Sequence, residues 1–213
     1  SASIYGSRAA NGVILVTTKR AEGGAMRVNY NGYVGWQSPT ELPEYLGGYE
    51  YMTLYNLARQ NIGQSPAYTQ AYIDGWQANH LTDPDQYPNT DWVDEVFTEN
   101  GFQQHHSIQL AGGTEMAKVM ASLSYMDQGG NIPNFNYKRY NARINTDLKV
   151  SDKVSFNFDL NMRRGVRKQP SAGLTYAVRE AFRDPPIYAA RFSNGTWGPG
   201  WSGQNPVASV RDG

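Results

Sequence analysis

The sequence has no cysteine, and that one absence removes disulfide staples, thiolate metal sites and cysteine nucleophiles together. It does not argue against an extracytoplasmic address, because a large β-structure needs no staple. Net charge is also missing: Lys+Arg and Asp+Glu both number 19, so no bulk field draws the chain to nucleic acid or anionic lipid. Nor is there a long hydrophobic run. The longest, residues 13–16, falls far short of the roughly 20 residues a membrane helix requires, so any membrane encounter has to use strands. Histidine is scarce: His105 and His106 are neighbours on one predicted strand and point to opposite faces, and His80 stands alone near Asp83 and Asp85. The acidic cluster Asp83, Asp85, Asp91, Asp94 and Glu95 lacks the ligand order and central glycine of an EF-hand loop, and reads as solvated or helix-capping carboxylates. A nucleophile elbow, a phosphate loop and a dinucleotide fingerprint are all wanting. No catalytic residues, metal or cofactor are expected.

What the sequence does have is alternation of period two. Over residues 26–37, Met26, Val28, Tyr30, Val34 and Trp36 fall on one face and Arg27, Asn29, Asn31, Tyr33 and Gln37 on the other. The pattern returns over residues 102–111, 117–126, 140–150 and 154–164, the last two being the cleanest. One wet face and one apolar face fits a soluble sheet or a membrane barrel with lipid outside and water inside. The connections favour the barrel. Gly112-Gly113-Thr114 and Ser151-Asp152-Lys153 are tight-turn compositions, whereas residues 38–101 and 127–139 are long connections, and more than forty residues follow Arg164. Short turns at one end and long loops at the other characterise outer-membrane barrels. At the long-loop end the apolar face carries Trp36, Phe102, Tyr125 and Tyr140, as a membrane–water interface selects.

The first long loop has helical content. Tyr51, Leu54, Tyr55, Ala58 and Ile62 follow helical spacing with Gly63 as the stop. A second helix is predicted over residues 68–78, and a short one from Asp91 with Thr90 as its cap. Residues 81–89 read as irregular. A later helix is predicted over residues 174–183, ended by Asp184-Pro185-Pro186, and residues 192–213 read as Gly-, Pro- and Asn-rich loop.

Residues 3–19 read S-I-Y-G-S-R-A-A-N-G-V-I-L-V-T-T-K: a polar turn segment entering a β-branched strand. This wording closely resembles the end of the plug domain in TonB-dependent outer-membrane transporters of the SusC/RagA family. Further landmarks follow in family order: Tyr30-Asn31-Gly32-Tyr33-Val34-Gly35-Trp36-Gln37, Tyr87-Pro88-Asn89-Thr90-Asp91-Trp92, Gly112-Gly113-Thr114, and Tyr137-Lys138-Arg139-Tyr140-Asn141 with Arg143 and Asn145. The resemblance covers most of the chain to about Arg164. The start at Ser1-Ala2-Ser3, without initiator Met or signal peptide, reads as a segment of something longer.

The resemblance implies a mainly β fold, an antiparallel slice of a large outer-membrane β-barrel with a helical extracellular loop insertion, preceded by the last strand of the plug. Residues 1–25 would be the end of the plug and its junction, with Tyr5, Gly6, Arg8, Asn11 and Gly12 at that junction. Residues 26–168 would be the first barrel strands, including the helix-containing loop 38–101, and residues 169–213 an extracellular loop. The implied function is import of oligosaccharides or peptides with a SusD-like surface lipoprotein as lid, driven by the TonB complex through a segment upstream of residue 1. On the barrel reading the polar strand face is the lumen, offering Arg27, Asn29, Asn31, His105, Arg143 and Asn145, beside Gln103, Gln109 and Asp147. Trp76, Trp92, Trp197 and Trp201 are candidate substrate contacts, because aromatic faces take sugar rings or peptide side chains; packing of the loop itself is the competing role for each. The rival fold, a soluble carbohydrate-binding β-domain, needs a second sheet for which the chain supplies too few strands.

Overall fold

The computed structural model describes Ile14 and residues 19–98, 100–201 and 203–212. Tyr5, Gly6, Arg8, Asn11 and Gly12 lie outside those residues, as does the strand expected after them, Ile14 apart. Five strands, β1 (Gly24–Gln37), β2 (Gly101–Gly113), β3 (Ala117–Gly129), β4 (Asn136–Ser151) and β5 (Val154–Lys168), pair in chain order in one antiparallel, open sheet whose edges are β1 and β5. Each contains a predicted strand and extends it. The apolar positions Met26, Val28, Val34, Phe156, Phe158 and Met162 are all exposed, an arrangement that water alone does not favour. No helix among the described residues is long and apolar enough to cross a membrane.

The chain divides into two units. The first comprises residues 1–31, 107–124 and 141–163 and contains both tight turns. At the β2–β3 turn Gly113 has φ +140°, and a Cβ there would stand 2.1 Å from the Ala117 carbonyl oxygen, so only glycine fits. Thr114 Oγ1 accepts hydrogen bonds from the amides of Met116 (3.3 Å) and Ala117 (3.1 Å). Ser151 Oγ accepts from the Lys153 amide at 3.3 Å in the β4–β5 turn.

The second unit comprises residues 32–106, 125–140 and 164–213 and contains the helices. α1 (Gly48–Asn61) and α2 (Gln70–Asn79) pack around Met52, Ile73 and Trp76. Gly48 sits against the Trp76 ring, where a Cβ would approach to 2.4 Å. α3 (Trp92–Val96), α4 (Leu174–Ala181) and α5 (Pro206–Arg211) share a second core of Trp92, Val96, Ala177, Ala181, Val207 and Val210.

Three expectations change here. Asp91, not Thr90, caps α3: its carboxylate accepts from the amides of Val93 and Asp94, both at 3.0 Å. Thr90 instead accepts from the Ala190 amide at 3.3 Å; a charged acceptor at a helix start outcompetes a hydroxyl that has a tertiary partner. The connection expected over residues 127–139 shrinks to residues 130–135, because Asp127 accepts from Asn136 (2.7 Å) and pairs with Lys138 (3.3 Å), carrying the β3–β4 ladder outward. The tail expected to be all loop contains α5. Its signal was present in Asn205-Pro206: the Asn205 side chain accepts from the Ala208 amide at 3.0 Å, and proline takes the first helical position.

Candidate functional site

The polar face of the sheet in the first unit carries one concentrated arrangement. Arg20, just ahead of β1, extends its guanidinium to two strands at once. One terminal nitrogen donates to Asp147 of β4 and the other to Asp159 of β5, the latter at 2.6 Å. The Asn145 side chain, buried at 4% exposure, donates to the Lys19 carbonyl at 3.4 Å, and Ala21 is buried beside them. A planar fork with fixed donors suits a two-carboxylate grip better than a lysine would. The segment before β1 is therefore held to the wall by both backbone and side chain.

Of the residues expected on this face, Arg27 and Asn29 line a cleft with Lys19, Arg20, Gln109 and Met120. Asn145 makes the contact just described. Asn31 lends its carbonyl to Ser107 Oγ at 3.4 Å, and Arg143 lies on β4 outside that cleft. His105, in the second unit, stacks on Tyr33 at 5.5 Å between ring centroids. Sequence reasoning missed Arg20 and did not single out Asp159. The available signal was that Asp147 and Asp159 are the only acids on the polar positions of the strands, which calls for a cation from elsewhere in the chain.

The loop tryptophans separate into two groups. Trp76 and Trp92 are 2% and 3% exposed, and their indole N–H groups donate to the carbonyls of Pro88 (3.1 Å) and Pro185 (2.9 Å). Their rings are committed to the two helical cores, the packing role that was set beside substrate contact for each. Trp197 and Trp201 are half-buried. Arg191 lies over the Trp197 ring at 5.0 Å and Arg183 over the Trp201 ring at 4.5 Å, a favourable cation–π placement. The Trp197 indole donates to the Asp212 carboxylate. Asp83 and Asp85 are occupied locally, Asp83 by the Gln86 amide (3.2 Å) and Asp85 by the amide (2.8 Å) and hydroxyl (2.5 Å) of Ser193; the Ser193 bonds hold the Asp85 carboxyl below its ordinary value.

Next to Trp201 lies a strained electrostatic spot. Glu180 is buried but held by Arg179 (2.8 Å) and Arg183 (3.7 Å). Asp184 is buried, with one oxygen accepting from the Trp201 amide at 3.4 Å and the other without a partner among the described residues. Burial pushes the Asp184 carboxyl up to about 6, with Glu180 adding to the rise and the Trp201 amide and Arg183 opposing it. The folded value lies above the ordinary 3.8, so the loop loses stability as pH rises from about 4 to about 6, and the penalty is complete at neutral pH. Asp184→Asn is expected to stabilise this loop at pH 7, by at most about 3 kcal/mol, and to flatten that pH dependence. Hydrogen exchange at the Trp201 amide across this range measures both effects.

No family model matches the chain. The TonB-dependent receptor SusC of Bacteroides thetaiotaomicron is 29% identical over 98% of this chain and 21% of its own length. The TonB-dependent receptor P26 of Formosa agariphila is 31% identical over 99% of this chain and 20% of its own length. The chain thus spans about a fifth of the length of these curated relatives. Among solved structures, the RagAB peptide transporter superposes with a TM-score of 0.69 at 20% identity, over 92% of this chain and 24% of that one. The RagAB peptide importer in its 'open-open' state gives 0.64 at 20% identity with the same coverage. At that identity the likeness is one of fold. With sequence similarity to TonB-dependent receptors running over nearly its whole length, the chain belongs to the SusC/RagA family of outer-membrane proteins.

Proposed function

We propose that this chain is wall, loop and plug-end of an outer-membrane importer of oligosaccharides or peptides. The observation that carries the reading is the two-faced sheet. Its apolar face is exposed, and in the second unit that face bears the ring pairs Trp36–Phe102 (5.5 Å) and Tyr125–Tyr140 (5.1 Å). Beyond Tyr125 and Tyr140 the same face turns charged, with Asp127 accepting from the Tyr125 hydroxyl (2.9 Å) and pairing with Lys138. Apolar band, aromatic rings and then charge is the order in which a strand leaves hydrocarbon for water. The opposite face is polar and faces the lumen.

On this reading residues 1–25 end the plug, and the grip of Arg20 on β4 and β5 anchors the plug's exit to the wall. The helices of residues 38–101 and 169–213 form an extracellular cap, where Trp197 and Trp201 stand near cargo and a SusD-like lipoprotein closes from outside. Energy from the TonB complex, received upstream of residue 1, displaces the plug. The test is to express the full-length parent with a tag, extract it from outer membranes in detergent and identify co-purifying proteins by mass spectrometry. A heat-modifiable barrel that brings a surface lipoprotein is the expected result; a parent without membrane association would overturn the reading.

A further inference from the structure

Three cations interrupt the exposed apolar face of the sheet: Lys138 on β4, and Arg164 and Lys168 on β5. Their placement follows from a neighbour. A Cβ on Gly165 would come within 2.9 Å of the Tyr137 hydroxyl, so Gly165 and Tyr137 share the polar face, and the residues beside them point the other way. Arg164, Val166 and Lys168 therefore stand on the face of Lys138 and Tyr140. Lys168 agrees with this, since it lines an open groove with Phe102, Asp127, Phe135 and Asn136. Among the described residues no other Lys or Arg occupies the apolar-face positions of the five strands.

The zero net charge of the whole chain conceals this local excess. Asp127 is the one carboxylate on the same strand positions, and it pairs with Lys138 at 3.3 Å. Lys168 donates to the Asn134 side-chain oxygen at 2.7 Å, a neutral acceptor that leaves the ammonium charge uncompensated. Arg164 is exposed, and no acid shares its face of β5. It stands four residues from Lys168, about 13 Å along a strand, with Val166 exposed between them.

We propose that Arg164 and Lys168, with Lys138 beside them, bind the phosphate of an outer-leaflet lipid. A cation held in hydrocarbon is costly, whereas one that follows an apolar band and its aromatic rings stands at the level of lipid headgroups. There the planar arginine fork takes two phosphate oxygens at once and the lysines add point charges. Val166 and the groove rings Phe102 and Phe135 offer apolar surface to the stem of the same lipid. A soluble acidic protein would have to reach a face that the bilayer covers at this height. The inference rests on the importer reading, which turns this face to the membrane, and adds a lipid partner to it.

The experiment is native mass spectrometry of the full-length parent, delipidated in detergent and titrated with monophosphoryl lipid A, with the same lipid after removal of its phosphate, and with inorganic phosphate. The phosphorylated lipid is expected to bind about tenfold or more tightly than its dephosphorylated form, and Arg164→Gln/Lys168→Gln to erase that preference. Arg164→Gln alone, which leaves the Lys168 to Asn134 bond in place, should lower it about fivefold. Arg167→Gln, on the opposite face of β5, should leave it unchanged. Equal binding of the two lipids, a preference that survives the double substitution or falls as far in Arg167→Gln, or displacement of the lipid by an equal concentration of inorganic phosphate would each overturn the inference, while a heat-modifiable barrel in the same preparation keeps the importer reading. A preparation without that barrel sinks both.

Discussion

Arg20→Glu is expected to release the segment ahead of β1 from the sheet. The wild-type guanidinium satisfies Asp147 and Asp159 together; the variant puts a third carboxylate between them and replaces two attractions by two repulsions. These groups are partly solvent-exposed, so each lost pair is worth about 1 kcal/mol or less, and the reversal adds a penalty of similar size. Hydrogen exchange of the amides over residues 19–24 should speed up by about tenfold or more, since about 1.4 kcal/mol is a factor of ten. On the proposed importer reading, permeability to large hydrophilic antibiotics should rise in step in cells carrying the full-length parent. Asp147→Arg combined with Asp159→Arg in the Arg20→Glu background restores opposite charges and should recover part of the protection. Exchange indistinguishable from wild type would show that Asn145 and the backbone hold the segment unaided.

Trp92→Ala should have the largest effect on stability. The side chain is buried among Val96, Ala177, Ala181, Val207 and Val210, and donates to the Pro185 carbonyl. Removing it leaves a cavity and an unpaired carbonyl, a loss of about 3–5 kcal/mol. Protection should collapse in α3, α4 and α5 together while the amides of β4 and β5 over residues 141–163 keep theirs. Trp92→Phe keeps most of the volume but no donor, and should fall between. Full protection of α5 in the alanine variant would mean that the helices do not share one core.

The strands were legible because alternation along β1 to β5 is a local property: each residue's face follows from its neighbours, and the two glycine- and serine-bounded turns fix where a strand reverses. Helix α1 was legible for the same reason, through spacing around Tyr51, Leu54 and Tyr55; α2 was expected too early, from residue 68, because Thr69 caps it from outside by accepting from the Tyr72 amide at 3.2 Å. Long-range partners were not. Arg20 meets Asp147 across 127 positions of chain, and Trp92 meets Pro185 across 93. Nothing next to Trp76 or Trp92 announces burial, since a tryptophan in a loop is equally suited to a core or a ligand. Thr90 and Asp91 were both competent caps, and the tertiary bond from Ala190 decided between them.

Asn134 has a backbone φ of 57° in the β3–β4 turn. Its amide nitrogen donates to the Val210 (2.8 Å) and Arg211 (3.1 Å) carbonyls at the end of α5, and its oxygen accepts from Lys168 (2.7 Å). Three stretches far apart in sequence thus meet at one side chain. Anyone building chimaeras between relatives, to transplant one receptor's outer loops onto another's wall, therefore has to move residues 130–135, Lys168 and residues 206–212 as a set. A graft that carries the last helix alone leaves its terminal carbonyls without their donor, and one that carries the turn alone leaves an asparagine in a left-handed conformation with nothing to hold it there.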